Sequence, residues 1–167
     1  MAPTAHVITV SDRAFNGVYT DRSGPLAVDL LRDGGCEVDD ASVVPDDLAA
    51  IQQAIRQTIA AGVRVVLTTG GTGVSPRDCT VEATRPLLTA ELPGVAEAIR
   101  RLGADHTQKA TLSRALAGVV VAGGQSAFVV NAPGSTGGVR DTIAVIVPLL
   151  EHVIDQLDGG DHEAPQP

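Results

Sequence analysis

The chain has 167 residues, which is the size of one ordinary domain. Hydrophobic residues make up 44% of the sequence and charged residues 19%, so the chain has enough apolar material to form a folded core. Aromatic residues make up only 2% and the formal net charge is -8, and both values argue against a nucleic-acid binder, which needs stacking side chains and a basic surface.

The first third of the sequence alternates strand and helix patterns. Residues 6–10 are an apolar run that predicts a buried strand, followed by a polar loop as far as Asp21. Ser23 offers a capping hydroxyl for a helix that ends at the glycines after residue 33. Residues 36–44 predict a weaker strand, and a helix capped by Asp46 or Asp47 follows it.

The middle of the chain holds the strongest strand pattern. Residues 63–69 carry four apolar side chains, Val63, Val65, Val66 and Leu67, with little alternation, which is typical of a central parallel strand covered on both faces. A glycine-rich loop, residues 70–73, follows the strand directly. A helix is expected from about Thr80 towards Pro86, and a second apolar helix pattern ends before Gly103.

The last third predicts a strand pair and a long helix. Residues 119–122 and 127–130 flank two glycines and predict two strands or a hairpin. A helix capped by Ser135 follows, and Pro148 is expected to kink it. The sequence from Asp158 onwards is polar, so we expect one domain over residues 1–157 and a flexible tail over residues 158–167.

This order of elements predicts the fold class. Strands that alternate with helices over one domain predict a three-layer α/β fold with a mainly parallel central sheet. Ligands of such sheets bind beyond the carboxyl ends of the strands. Three polar loops are expected there, after Val10, after Thr69 and after Asn131.

The loop of residues 70–73 allows backbone amides to approach an anion, although a tight turn explains the glycines equally well. It lacks the lysine of a P-loop and the spacing of a dinucleotide fingerprint. Three carboxylates, Asp12, Asp46 and Asp78, follow these strands and loops and are expected to meet, as ligands of Mg²⁺ with nucleotide phosphates do. Taken singly, each favours a helix cap or a turn.

Basic residues and cysteines add two expectations. Three arginines lie near the same loops and can offset phosphate charge: Arg13, Arg77 and Arg114. Cys36 and Cys79 form no C-x-x-C motif, and the sequence has neither a signal-peptide pattern nor a long apolar run. We therefore expect a reduced, cytoplasmic protein with no membrane partner.

Several short motifs occur in a fixed order along the chain: Ser11-Asp12-Arg13 with Gly17-Val18-Tyr19-Thr20-Asp21, Thr68-Thr69-Gly70-Gly71-Thr72-Gly73, Arg77-Asp78 with Thr80 and Glu82-Ala83-Thr84, Pro93-Gly94, Leu112-Ser113-Arg114, and Asn131 with Pro133-Gly134-Ser135. With this order and spacing, about residues 6–157 resemble the molybdenum cofactor biosynthesis family, MogA/MoaB branch. The resemblance is greatest to the molybdopterin adenylyltransferases.

The resemblance implies a molybdopterin-binding fold, a homotrimer, and Mg²⁺-dependent transfer of AMP from ATP to the terminal phosphate of molybdopterin with release of pyrophosphate. It also implies the molybdenum insertase as a candidate partner. Matching motif positions assign catalysis to Asp46 and Asp78, with Asp46 as candidate metal ligand, although which of the two holds Mg²⁺ stays open. They assign substrate binding to Ser11, Asp12, Arg13, Thr69, Gly70, Gly71, Thr72, Gly73, Ser113, Arg114, Pro133, Gly134 and Ser135.

The sequence departs from the family pattern at one turn, and the motifs leave an alternative open because MoaB-type paralogues share them. The family's Pro-Gly turn usually contains a second proline, and Thr136 stands there in this chain. A catalytically silent MoaB-type paralogue that carries molybdopterin or binds partner proteins is the alternative, while the missing fingerprint disfavours a nicotinamide-dependent oxidoreductase. We also expect a Cβ at Gly71 to intrude on a bound ligand rather than to strain the backbone.

Overall fold

The computed structural model describes residues 2–160, and its elements alternate as the sequence predicts. No helix in this range is both long and apolar enough to cross a membrane. The strands are β1 (Thr4–Val10), β2 (Glu37–Val38), β3 (Ser42–Val44), β4 (Val65–Thr69), β5 (Leu88–Glu91), β6 (Ala117–Ala122) and β7 (Gln125–Ala132). The helices are α1 (Asp12–Phe15), α2 (Ser23–Asp33), α3 (Leu48–Ala60), α4 (Thr80–Thr84), α5 (Pro93–His106), α6 (Thr136–Ile146) and α7 (Leu150–Leu157), and 3-10 turns lie at Arg85–Leu87, Gln108–Leu112 and Val147–Leu149.

One seven-stranded sheet forms the centre, in the order β2-β1-β4-β7-β6-β5. Strand β2 pairs with the beginning of β1, and β3 pairs with the end of β1. The pairs among β1, β2, β3, β4 and β7 are parallel, whereas β6 pairs antiparallel with both β7 and the edge strand β5. Residues of β4 alternate between two cores: Val65 and Leu67 belong to the core that includes α2, α5 and α6, and Val66 to the core that includes α3. The predicted three-layer, mainly parallel α/β fold is confirmed.

The cap of α2 differs from the prediction. Ser23 is the first helical residue, and the capping group is Asp21, whose Oδ1 accepts from the Gly24 amide (3.0 Å) and from Ser23 Oγ (3.2 Å). Asp21 Oδ2 accepts from Thr9 Oγ1 at 2.6 Å. A carboxylate has two oxygens, so Asp21 can accept from the helix with one and from the adjacent strand with the other.

Two strand predictions change for identifiable reasons. The single strand expected over residues 36–44 is two short strands, because the exposed Asp39 and Asp40 interrupt the pairing with β1. Strand β5 has no sequence signal, since it is an edge strand with three of its four residues exposed.

Helix α5 continues past Gly103, where a Cβ would lie 2.7 Å from the Ala110 side chain, so this glycine permits close packing and does not end the helix.

The predicted C-terminal elements are largely confirmed. Strands β6 and β7 form a hairpin at Gly123 and Gly124, which have φ of 59° and 77° as a tight two-residue turn requires. Ser135 caps α6 by accepting from the Gly138 amide at 3.1 Å. Pro148 lies in the 3-10 turn between α6 and α7, so the predicted kink takes the form of an interruption. Residues 161–167 of the expected tail lie outside the described part of the chain.

Candidate active site at the carboxyl edge of the sheet

The loops after β4 and β7 meet at the carboxyl edge of the sheet, because their strands are parallel neighbours. Thr69 and Ala132 are in register. The Gly70 amide donates to the Ala132 carbonyl at 3.0 Å, and Thr69 Oγ1 donates to the Pro133 carbonyl at 3.0 Å. The glycine loop and the Pro-Gly turn are therefore fixed to each other.

Protein packing itself requires the first two glycines of the loop. Gly70 and Gly71 have φ of 102° and 67°, in the left-handed region that favours glycine. A Cβ on Gly70 would lie 2.4 Å from the Val10 carbonyl oxygen, and a Cβ on Gly71 would lie 2.2 Å from Thr80 Oγ1. The prediction that a Cβ at Gly71 meets a ligand is wrong, because that Cβ points into the protein.

A cleft of about 840 Å³ opens between the glycine loop, the start of α6 and the segment after α5. Nine of the residues predicted for the site line it: Gly70, Gly71, Thr72, Gly73, Asp78, Ser113, Pro133, Gly134 and Ser135. Six do not line it: Ser11, Asp12, Arg13, Asp46, Thr69 and Arg114. The cleft thus joins two of the three predicted loops.

Three successive amides of the glycine loop have no hydrogen-bond partner in the described part of the chain. Gly71, Thr72 and Gly73 line the cleft, and within residues 2–160 their N–H groups donate to no protein acceptor. Buried N–H groups are nearly always paired, so three successive unpaired donors in the wall of a cleft are available to an external acceptor.

Asp78 brings a carboxylate to the same cleft. Its Oδ2 accepts from the Ser75 amide at 2.9 Å, and its own amide donates to the Ser75 carbonyl at 2.9 Å. Among the described residues, no hydrogen bond reaches Oδ1. Asp78 therefore has a fixed position and one oxygen free for a ligand.

Asp12 and Asp46 form a second acidic centre beside the cleft. The Asp12 amide donates to Asp46 Oδ2 at 2.8 Å, and the Asp46 amide donates to Asp12 Oδ1 at 2.9 Å. Arg77 Nη2 donates to Asp12 Oδ2 at 2.5 Å. The hydrogen bond from Arg77, with that from the Asp46 amide, lowers the pKa of Asp12, which is therefore ionised at neutral pH.

The expected meeting of all three carboxylates does not occur. Within residues 2–160 no group of three or more His, Cys, Asp and Glu side chains is placed to hold a metal ion. The carboxylates of Asp12 and Asp46 each accept from the other's amide, whereas the Asp78 carboxylate accepts from the Ser75 amide beside the glycine loop. This arrangement still fits Mg²⁺, which takes one or two carboxylates and completes its octahedral shell with water and substrate phosphates.

Residues 6–152 match the protein family described as "Probable molybdopterin binding domain". The chain belongs to the MogA/MoaB family of molybdenum cofactor biosynthesis proteins. It is 40% identical to molybdenum cofactor biosynthesis protein B of Staphylococcus aureus (strain MRSA252), over 92% of this chain and 90% of that protein.

Solved structures share the fold at full length. A molybdopterin biosynthesis protein from Mycobacterium abscessus superposes with a TM-score of 0.85 at 44% identity, covering 94% of this chain and 97% of that one. The tungsten cofactor synthesizing protein MoaB from Pyrococcus furiosus gives 0.86 at 32% identity, covering 93% and 97%. The chain spans about half of longer relatives: a bifunctional molybdenum cofactor biosynthesis protein from Synechococcus elongatus is 42% identical over 95% of this chain and 48% of that protein.

Other family-motif residues have partners within the protein. Ser11 Oγ caps α1 by accepting from the Ala14 amide at 3.2 Å. The Arg13 guanidinium lies over the Tyr19 ring, 5.5 Å from its centroid. Arg114 contacts the glycine loop and Glu82. The substrate-binding roles given to these residues by the family motifs stay predictions.

One wall of the cleft was not predicted. It contains His106, Thr107, Lys109, Ala110 and Leu112 from the segment after α5, and Gly137, Gly138, Arg140 and Asp141 from α6. His106 Nδ1 lies 3.0 Å from Asp141 Oδ1, a contact between residues that no sequence pattern connects. Lys109 offered a signal, because it is the single lysine of the chain and lies just before the Leu112-Ser113-Arg114 motif.

Proposed function

We propose that this protein is a molybdopterin adenylyltransferase, which transfers AMP from ATP to the terminal phosphate of molybdopterin and releases pyrophosphate. The observation that carries the proposal is the row of unpaired amides at Gly71, Thr72 and Gly73 in a cleft that also holds Asp78. Such a row suits phosphate oxygens, and the start of α6 adds a second anion-binding element in the same cleft.

The reaction needs no nucleophile from the protein. An oxygen of the molybdopterin phosphate forms the bond to the α-phosphorus of ATP, the bond from that phosphorus to the bridging oxygen breaks, and pyrophosphate leaves with the electron pair. Such a transfer needs positioning and neutralised charge above all. The nearby thiol of Cys79 fits this picture, because burial and the neighbouring carboxylates raise its pKa and keep it protonated.

Mg²⁺ would be held by Asp46 or Asp78, each of which has an Oδ1 without a hydrogen bond in the described structure. When bound, the ion would neutralise the triphosphate of ATP and polarise the pyrophosphate leaving group. Asp78 lines the cleft itself, so we propose that it orients the reacting phosphate groups, and that Asp46 contributes from the adjoining Asp12–Asp46 pair.

Pyrophosphate release from ATP, Mg²⁺ and molybdopterin tests the proposal. We expect Asp78→Asn to abolish release without loss of folding, because the amide keeps the shape of the side chain and removes its charge. Asp46→Asn should raise the Mg²⁺ concentration needed for half-maximal rate. The matched control is Asp47→Asn, which changes an adjacent exposed carboxylate that caps α3, a position where asparagine also caps well.

The carrier alternative predicts a different result. It rests on the family motifs, which MoaB-type paralogues share with the adenylyltransferases. A carrier would bind molybdopterin with micromolar affinity or better and release no pyrophosphate at any Mg²⁺ concentration. Wild-type turnover by Asp78→Asn would remove Asp78 from the mechanism but leave the adenylyltransferase activity standing.

We further propose that the protein is a homotrimer and that a molybdenum insertase receives its product. Exposed apolar side chains at the end of α1 and just after it support an oligomer: Phe15 is 55% exposed and Val18 is 71% exposed. The insertase proposal is supported by two relatives that are named bifunctional molybdenum cofactor biosynthesis proteins, because this chain matches only about half of each of them. Light scattering should give a mass three times that of the 17.0 kDa chain, and a monomer would contradict the first proposal.

A further inference from the structure

Arg114 holds the segment that carries Asp78. Its amide donates to the Thr72 carbonyl at 2.9 Å and its Nε to the Gly73 carbonyl at 2.7 Å. Its Nη2 donates to the Asp78 carbonyl at 3.2 Å. One residue therefore contacts both ends of the segment of residues 72–78.

The segment has little else to hold it. Ser75 and Asp78 bond to each other, and the side chain of Arg77 reaches Asp12 on the exposed surface. Within residues 2–160, each backbone hydrogen bond that joins residues 72–78 to the rest of the chain ends on Arg114. The position of the Asp78 carboxylate in the cleft thus depends on this arginine.

Glu82 fixes the orientation of the guanidinium. Arg114 Nη1 forms an ion pair with Glu82 Oε1, and Nη2 lies 3.4 Å from Oε2. The hydrogen bond from Arg114 lowers the pKa of Glu82, so the pair is ionised at neutral pH. A planar guanidinium has five donors in a fixed arrangement, so it can bridge a carboxylate and two carbonyls at once.

The first part of the loop is anchored independently. The Gly70 amide is bonded to the Ala132 carbonyl, Thr80 Oγ1 donates to the Gly70 carbonyl at 2.8 Å, and the Thr80 amide donates to the Gly71 carbonyl at 3.1 Å. Loss of the Arg114 side chain would therefore loosen the segment of residues 72–78 near Asp78 and leave Gly70 and Gly71 in place.

We propose that Arg114, oriented by Glu82, is a positioning residue that holds Asp78 in the cleft and does not bind substrate. The guanidinium lies outside the cleft lining, while the preceding residue, Ser113, lies within it. Arg114 thus joins the glycine-loop wall to the wall formed by the segment after α5. The kinetic part of this proposal rests on the proposed adenylyltransferase function.

Arg114→Gln is the first variant to test. We expect kcat for pyrophosphate release to fall by about 10- to 100-fold, since misplacing a catalytic group by about 1 Å costs on this order. KM for ATP should change less than about threefold, because the beginning of the loop keeps its anchors. Glu82→Gln should act in the same direction more weakly, and the double variant should cost little more than Arg114→Gln alone.

The matched control is Arg85→Gln, which removes an exposed arginine that pairs with Glu91 at 2.9 Å, away from the cleft lining. It should leave both kcat and KM unchanged. An Arg114→Gln enzyme with normal kcat and a tenfold weaker KM for ATP would mean that Arg114 binds substrate, and would overturn the proposal.

A second measurement does not depend on turnover. Hydrogen exchange should become faster in residues 72–78 of Arg114→Gln and Glu82→Gln, and stay unchanged in β7. Unchanged exchange in residues 72–78 would overturn the proposal even if the protein proves to be a carrier. If wild type releases no pyrophosphate while exchange changes as expected, the adenylyltransferase proposal fails and the anchoring role of Arg114 stands.

Discussion

Gly71→Ala tests whether the fold itself requires a glycine at the start of the loop. A positive φ of 67° costs an alanine about 1 kcal/mol. The new Cβ would also lie 2.2 Å from Thr80 Oγ1, which is fully buried and donates to the Gly70 carbonyl at 2.8 Å. Displacing that hydroxyl breaks a buried hydrogen bond, at a cost of about 1 to 3 kcal/mol.

The two contributions sum to about 2 to 4 kcal/mol for the free energy of unfolding. For a domain of this size, each kcal/mol lowers Tm by about 2 to 4 °C, so we expect a fall of about 4 to 16 °C without ligand. Gly17→Ala is the matched control, since Gly17 has φ of 71° and no atom lies within 4 Å of the position that a Cβ would take there. It carries the backbone cost alone and should lower Tm by only about 2 to 4 °C.

Thermal denaturation followed by circular dichroism measures both variants. Repeating Gly71→Ala in a Thr80→Ala background removes Oγ1, the nearest atom, and leaves the Thr80 Cβ at 3.2 Å, so the additional cost should fall most of the way towards that of Gly17→Ala. The reasoning is refuted if Gly71→Ala keeps the wild-type Tm without ligand and loses only the stabilisation that ligand adds, because the Cβ would then face the ligand.

Three further predictions concern stability. Asn131→Ala should lower the free energy of unfolding by about 3 kcal/mol or more, measured in urea, because its buried side chain donates to Thr68 Oγ1 (2.9 Å) and Thr84 Oγ1 (3.0 Å) and accepts from the Leu116 amide (3.2 Å), and all three hydrogen bonds would be lost; a loss under about 1 kcal/mol would show that the site rehydrates. Ser135→Ala should cost about 1 kcal/mol through the lost α6 cap and Ser135→Asn much less, so equal Tm values for the two variants would contradict the capping role. Burial lowers the pKa of His6 below its ordinary value of 6.5, so the unfolded chain binds more protons and wild type should lose stability as the pH falls from 6.5 through the lowered pKa. His6→Gln should show a smaller difference between urea midpoints at about pH 7.5 and about pH 5, and an equal difference would rule His6 out as the source.

The sequence by itself determined the features that depend on neighbours along the chain. The apolar residues Val65, Val66 and Leu67, which follow one another without alternation, predicted the central strand, since a parallel strand is covered on both faces. Ser135 was correctly predicted as a cap, and the α3 cap was narrowed to Asp46 or Asp47, of which the structure shows Asp47, because a cap acts within three residues. The order of strands and helices then limited the fold to a three-layer α/β domain.

Only the tertiary structure decided which distant groups share a wall. The sequence predicted that Asp12, Asp46 and Asp78 form one cluster. In the structure the Ser75 amide donates to Asp78 and holds it beside the glycine loop, whereas Asp12 and Asp46 bond to each other. The sequence predicted that Arg114 offsets phosphate charge. In the structure it donates to backbone carbonyls about 40 positions earlier in the chain, and the Gly73 carbonyl is the nearest of them. Such contacts depend on how the loops fold over the sheet edge, and local periodicity and spacing carry no information about that path.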